Sequence, residues 1–177
     1  MDLSQFLALK TAELTRYIQQ DAPRIIAKEG RDHFRESFQD EGFTDATIEP
    51  WAEVKRRQED RLRRNKNGTI SKRQGRNQKR KILTDTGDLR KSITTDIRGM
   101  TVEVGTDLDY AEPHNEGFKG TVTIRAHERT RNGNSHSVQS YSRDVDLKQR
   151  QFIGESRALD EKIERQFEQD ITKILSQ

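Results

Sequence analysis

The stretch ILTDTGDLRKSITTDIRGMTVEVGTDLDYAEPHNEG, residues 82–117, is the most regular part of a very polar chain, and its reading decides the fold. Ile82 and Leu83 restore apolar character after a long basic run. Thr84 or Asp85 is placed to cap a short helical turn, with Gly87 where a Cβ would crowd the backbone. Leu89 and Ile93 face the same way. From Ser92 the period drops to two: Ile93, Thr95 and Ile97 alternate with polar neighbours, Arg98 and Gly99 turn the chain, and Met100, Val102 and Val104 return. This pattern is a β-hairpin. Gly105 ends the return strand, and Leu108, Tyr110 and Ala111 dock a short turn on the sheet before Pro113, His114, Asn115 and Gly117.

Helical periods flank this sheet. Leu3, Phe6, Leu7, Leu14, Tyr17 and Ile18 recur at helical spacing. Asp21 ahead of Ala22 and Pro23 either caps a second helix or bends the first, and Ile25, Ile26, Phe34 and Phe38 carry the apolar face on to an end near Gly42. Trp51, directly after Pro50, is read as a core residue. At the other end Leu159, Ile163, Phe167, Ile171 and Ile174 form a stripe opposite Asp160, Glu161, Glu164, Arg165 and Glu168, with Ser156 as N-cap. Phe167→Ala is expected here to be among the most harmful single changes.

Composition limits what such a chain can do. Leu, Ile, Val and Phe together number 37 of 177 residues, close to the roughly 20% below which chains stay disordered. A small core must be supplemented by partner subunits or by unfolded segments, because ordering costs about 1–2 kcal/mol per residue. With no Cys there is neither a disulfide nor a thiolate, and a reducing compartment is allowed. No apolar run reaches the roughly 18 residues of a membrane span, and MDLSQFLALKTAELTRYIQQ is unlike a signal peptide, so the chain is read as soluble and intracellular when made, with no membrane partner.

The net charge of +3 hides an asymmetry. From Lys55 to Lys81 thirteen basic residues face Glu59 and Asp60, a local charge of +11, which leaves −8 on the rest. The segment 52–81, with breakers NKNG and RQGRN and only Leu62 and Ile70 as large apolar residues, is expected to be a mobile arm. Its candidate contacts to DNA or to a neighbouring subunit are Arg56, Arg57, Arg61, Arg63, Arg64, Lys72, Arg73, Arg76, Lys79 and Arg80. No aromatic residue is interleaved among them, so any DNA contact would be independent of sequence.

Enzymatic patterns are weak. His114 beside Glu116, His127 beside Glu128, and His136 match no zinc spacing, and neither GxSxG, a phosphate loop nor a dinucleotide fingerprint is present. Asp85 and Asp88 pair only as parts of a capped turn. The chain is read as not an enzyme, with no cofactor and no metal; a metal-dependent hydrolase would instead purify with stoichiometric metal.

The succession IL, TG, L, SI, then VEVGT, YA, HNEG, then RQFIGES and a terminal helix resembles the bacteriophage virion morphogenesis proteins, the tail completion or head-tail joining group. The likeness runs from about Trp51 to the C-terminus. Leu83, Thr86, Gly87, Leu89, Ser92 and Ile93 match its first motif; Val104, Gly105, Tyr110, Ala111, His114 and Gly117 the second; Arg150, Phe152, Ile153, Gly154 and Ser156 the third. The resemblance implies a non-enzymatic α+β subunit, a small antiparallel sheet packed against N- and C-terminal helices. It further implies a homo-oligomeric ring, six copies being the number taken first, at the head-tail neck or tail end, through which DNA passes. The implied partners are an adaptor or connector, a tail terminator or the tail tube; the implied location is the virion, with assembly in the host cytoplasm. The motif residues then serve fold and assembly. One departure is an insertion, TVTIRAHERTR, NGNSH and SVQSYSRDVDL, where Val122, Ile124 and Ala126 alternate outward, Asn132 and Gly133 turn, and Val138 to Leu147 return. It is read as a long projecting hairpin, 119–148, ordered by a neighbour. The single domain then runs 1–42 (N-terminal helices), 52–81 (basic arm), 82–125 (sheet core), the hairpin, and 155–176 (C-terminal helix). The alternative reading is a sequence-independent nucleic-acid-binding protein acting through 55–81.

Overall fold

The computed structural model describes residues 2–58, 64, 66–70, 72–131 and 133–177. Its architecture is α+β, with small antiparallel ladders between N- and C-terminal helices. Helix α1 (Leu3–Arg16) runs through one π-helical turn (Tyr17–Asp21) into α2 (Ala22–Asp40). The widened turn has a local cause. Pro23 lacks the N–H that an uninterrupted helix would use, and the chain absorbs the lost bond where the Ala22 amide reaches back to the Tyr17 carbonyl. Asp21 makes no side-chain cap, and the first helix continues into the second through the π-helical turn. Glu41, in the left-handed region at φ 55°, stops α2.

Strands β1 (Gly42–Thr44) and β2 (Ile48–Pro50) form a short ladder, and β3 (Thr94–Arg98) and β4 (Thr101–Gly105) form the hairpin read at 93–104, in register from Thr94–Gly105 to Arg98–Thr101. Between them lie α3 (Lys72–Lys79) and α4 (Asp88–Ser92), and after them α5 (Ala111–Asn115). The ladders remain separate pairs because strands of three and five residues offer few edge groups to a third strand. Helix α3 falls in the segment expected to be an irregular arm. The cap of α4 also differs from expectation. Gly87 occupies it at φ 83°, where a Cβ would meet only the Lys91 side chain at an ordinary 3.8 Å, so the requirement there is the left-handed backbone and not crowding.

The core is small and drawn from segments far apart in sequence. Phe34 and Phe38 of α2 meet Phe43, Trp51, Ile82, Leu89, Ile93, Ala111 and Phe152, and α6 (Arg157–Ser176) adds Leu159. Phe38 sits 5.5 Å edge-on from Trp51 and 5.2 Å from Phe152. Trp51 is a core residue as read, and its indole N–H donates to the Gln151 carbonyl at 2.6 Å. The terminal helix departs from expectation: of its stripe only Leu159 is fully buried, while Ile163, Phe167, Ile171 and Ile174 are half-buried. Phe167 packs edge-on against Tyr17 at 6.1 Å, at the periphery. The most harmful truncations are therefore expected at Phe38 and Phe152, not at Phe167.

The same periphery carries a pH-dependent contact. Burial, then the Asp170 carboxylate that accepts from the Tyr17 hydroxyl at 3.0 Å, push the Tyr17 phenol up to about 12. A raised phenol favours the neutral form in the folded state. Its contribution is complete below the unfolded value near 10 and disappears as pH rises through about 12. Alkaline melts should lose stability across that window, and Tyr17→Phe should lose less over the same interval; equal losses would contradict the assignment.

Beyond the body projects one ribbon. Strand β5 (Phe118–Ile124) pairs with β8 (Tyr141–Leu147), and β6 (His127–Arg131) with β7 (Asn134–Val138), in one continuous register from Phe118–Leu147 to Arg131–Asn134. At about 3.3 Å per residue the ribbon is about 45 Å long. Gly133 is left-handed at φ 81°, whereas the expected turn partner Asn132 lies outside the described residues. Phe118, Val122, Ile124, Tyr141, Val145 and Leu147 share one face of its inner half, and Phe118 and Tyr141 are exposed.

Candidate functional site

Residues far apart in sequence converge on one cleft of about 450 Å³. The first motif supplies Leu83, Thr86, Gly87 and Leu89; the second supplies Tyr110 and His114; the third supplies Arg150; the two ends of the basic segment supply Arg56 and Arg80. Three things bring them together. Leu83 turns the chain in the left-handed region at φ 53°, which a branched side chain rarely adopts. The Arg150 amide donates to the His114 carbonyl at 2.8 Å, tying the third motif to α5. Arg56 donates to the carbonyls of Arg80 at 2.9 Å and Lys81 at 2.7 Å, drawing the ends of the basic segment together.

Asn115 is the residue that sequence reasoning passed over. Its Oδ1 accepts from the amides of Phe152 at 2.9 Å and Ile153 at 3.0 Å, and its Nδ2 donates to the Ile153 carbonyl at 3.1 Å. One side chain thus does for 152–153 what a partner strand would. The signal was present in HNEG, but nothing local says which distant amides an Asn will meet. Gly117 follows at φ 80°, where a Cβ would stand 3.0 Å from the Gln149 amide.

Three arginines and two carboxylates, Asp85 and Asp88, line the cleft, with Glu53 acting on Arg150 and Arg56 from nearby. Burial lowers the proton affinity of Arg150 and of Arg56, and Arg80 and Arg57 lower Arg56 further. Arg150 donates to the Ala52 carbonyl at 3.0 Å and the Lys148 carbonyl at 3.4 Å, and among the described residues no carboxylate stands within ion-pair distance of it. Burial, then Arg150, lower the His114 imidazole below its ordinary value, so it is neutral at physiological pH. The His114 Nδ1 and the Arg80 Nε are buried without a hydrogen-bond partner among the described residues.

The remaining motif residues lie elsewhere. Ala111 and Phe152 are core residues that also floor a second cavity of about 350 Å³, on whose rim stand Asp107, Asp109, Glu112 and Glu116. Gly105 ends β4 with open space around it, and nothing there demands glycine. At Gly154 a Cβ would meet the end of the flexible Gln151 side chain.

Of the arginines assigned to DNA or a neighbour, several are engaged within the chain. Arg57 forms a two-pronged pair with Glu41, at 2.9 and 2.5 Å, and holds that carboxyl below its usual range. Arg80 pairs with Asp85, and Arg64 donates to the Gly68 carbonyl. Lys79 is exposed at the end of α3. Arg61 and Arg63 lie outside the described residues, as do the side chains of Lys72, Arg73 and Arg76. Glu41 also accepts from the Ile82 amide at 2.6 Å, so it joins the end of α2, the start of the basic segment and the start of the first motif.

One pair looks catalytic and is not arranged for it. His33 Nε2 lies 3.0 Å from Ser156 Oγ, but it also faces the Thr44 carbonyl at 3.1 Å. A nitrogen facing a carbonyl must carry a proton, so it donates and cannot take one from the serine. Ser156 Oγ itself donates to the Thr44 carbonyl at 2.8 Å and accepts from the Leu159 amide at 3.2 Å, capping α6 as the sequence predicts. Among the described residues no group of three His, Asp or Glu side chains is placed to hold a metal ion, and no helix is long and apolar enough to cross a membrane.

The described residues form a small body with a projecting ribbon and a cleft lined by residues of all three motifs. Comparison with protein families shows that the chain belongs to the phage virion morphogenesis family, whose model matches residues 49–172. No curated protein and no solved structure matches it. Its role is accordingly in the building of a phage particle, which speaks for a structural protein associated with the virion.

Proposed function

We propose that the protein is a structural ring subunit of the head-tail neck or tail terminus, which completes or joins the tail and leaves a passage for DNA. One observation carries this reading. The chain exposes 13290 Å², whereas a compact monomer of 20.6 kDa exposes about 8,900 Å². The excess is of the kind that subunits bury. Leu3, Leu7, Leu9 and Ile18 stand exposed on the N-terminal rod, and Phe118 and Tyr141 on the ribbon. Repeated heterologous contacts between such surfaces close into cyclic assemblies. The ribbon reaches the adjacent subunit or ring, with pairing at its free edges as the mode of contact. Six copies, adaptor or tail-tube neighbours, and assembly in the host cytoplasm belong to the same proposal.

A phage lacking this chain should accumulate filled heads and separate tails in electron micrographs; normal yields of joined particles would contradict the role. The basic segment and acidic body also favour contact between subunits, so assembly should weaken as salt rises from about 0.05 to 0.5 M. Size indifferent to salt would count against that contact. The basic segment supports a second reading, DNA binding. If it holds, Lys72→Gln, Arg73→Gln, Arg76→Gln and Lys79→Gln together should flatten the salt slope of duplex binding by about three to four units.

A further inference from the structure

We propose that the cleft between α4 and α5 receives an acidic segment of a neighbouring virion subunit, a carboxylate side chain entering against Arg150 beside His114 while an adjoining apolar side chain rests on Leu83 and Tyr110. The inference deepens the assembly reading and rests on it, naming what the cleft is for.

Charge at the cleft asks for an anion, and two further features mark the same place as built for a partner. Arg150 is half-buried and donates to the Ala52 and Lys148 carbonyls with no carboxylate at ion-pair distance among the described residues; burial weakens its hold on its proton, and Glu53, beyond that distance, offsets this only in part. A cation taken from water without an acid is costly, and a carboxylate brought from outside offsets that cost. The two acids on the wall are committed elsewhere: Asp85 to Arg80, and Asp88 to the Thr86 hydroxyl. The second feature is unfilled hydrogen-bonding capacity. His114 Nδ1 and Arg80 Nε are buried and unpartnered among the described residues, which native structures rarely tolerate without a reason. The third is backbone strain held at the same place. Leu83 keeps φ 53° on the cleft wall, and such outliers persist where the surroundings enforce them for use.

Shape selects the source of the anion. A concavity of about 450 Å³ holds a few side chains and not a duplex. Its apolar lining by Val54, Ile82, Leu83 and Leu89 would be wasted on a phosphate backbone. Tyr110, about half exposed at 47%, stands at the rim with its ring 6.3 Å edge-on from His114, where an incoming aliphatic chain meets it.

The test is an NMR titration of the full labelled chain with N-acetyl-Glu-Leu-amide, with N-acetyl-Gln-Leu-amide as the uncharged control. The acidic probe should shift the signals of Leu83, Gly87, His114 and Arg150. It should also raise the midpoint of the His114 titration, since a carboxylate beside the ring favours the imidazolium. Arg150→Gln should weaken the response at least tenfold. Should that variant fail to fold, Tyr110→Ala, at an exposed position, should weaken it several-fold. No shifts at saturating probe, an equal response to the Gln control, or displacement of the probe by a short DNA duplex would each overturn the proposal. A responsive cleft in a phage that joins heads and tails without this chain would sink the neck assignment alone. A salt-sensitive ring with a silent cleft would sink the cleft alone.

Discussion

Phe38→Ala should destabilise the protein by about 3–5 kcal/mol, a large part of the roughly 5–15 kcal/mol that holds a domain together. Phe38 is 1% exposed and touches both Trp51 and Phe152, which come from opposite ends of the family-matched region. Truncating it opens a cavity that the rigid rod of α1 and α2 cannot collapse to fill. Phe167→Ala, at a half-buried periphery, should cost no more than about 2 kcal/mol. Urea melts of the two variants side by side decide the matter. If Phe167→Ala proved the more damaging, the core would be misplaced.

Asn115→Ala should cost about 2–6 kcal/mol, since it strands the amides of Phe152 and Ile153 at about 1–3 kcal/mol each. Asn115→Asp keeps the acceptor for both amides and loses the donor to the Ile153 carbonyl and to the exposed Glu116 carboxylate, so it should cost less than Ala. The expected order in thermal melting is wild type, then Asp, then Ala. If the Ala variant melted with wild type, the side chain would not be the tie between α5 and the third motif. The same tie holds Arg150 beside His114, so the cleft should be lost along with stability.

These two residues show where sequence reading reached and where it stopped. Period two from Ile93 to Val104 is a local signal, and the hairpin lies there. Period 3.6 over the C-terminal stretch gave a helix in the right place, capped by Ser156 as read. Periodicity reports which face is apolar, not how deep it sinks, and Phe167 was accordingly overvalued against Phe38. The motif residues were legible as a family signature. Their meeting in a cleft was not, because it depends on long-range bonds, Arg150 to His114 and Arg56 to the carbonyls of Arg80 and Lys81. The basic run was legible as charge. That Arg57 and Arg80 answer Glu41 and Asp85 within the chain depends on where α2 ends.

Surface that one chain leaves uncovered is the physical basis of the account, and the mass of the purified protein in solution reads it most directly. Native mass spectrometry at low salt should give one closed species at an integer multiple of 20.6 kDa, with no ladder of open oligomers. A single 20.6 kDa species at every protein concentration and ionic strength would contradict it.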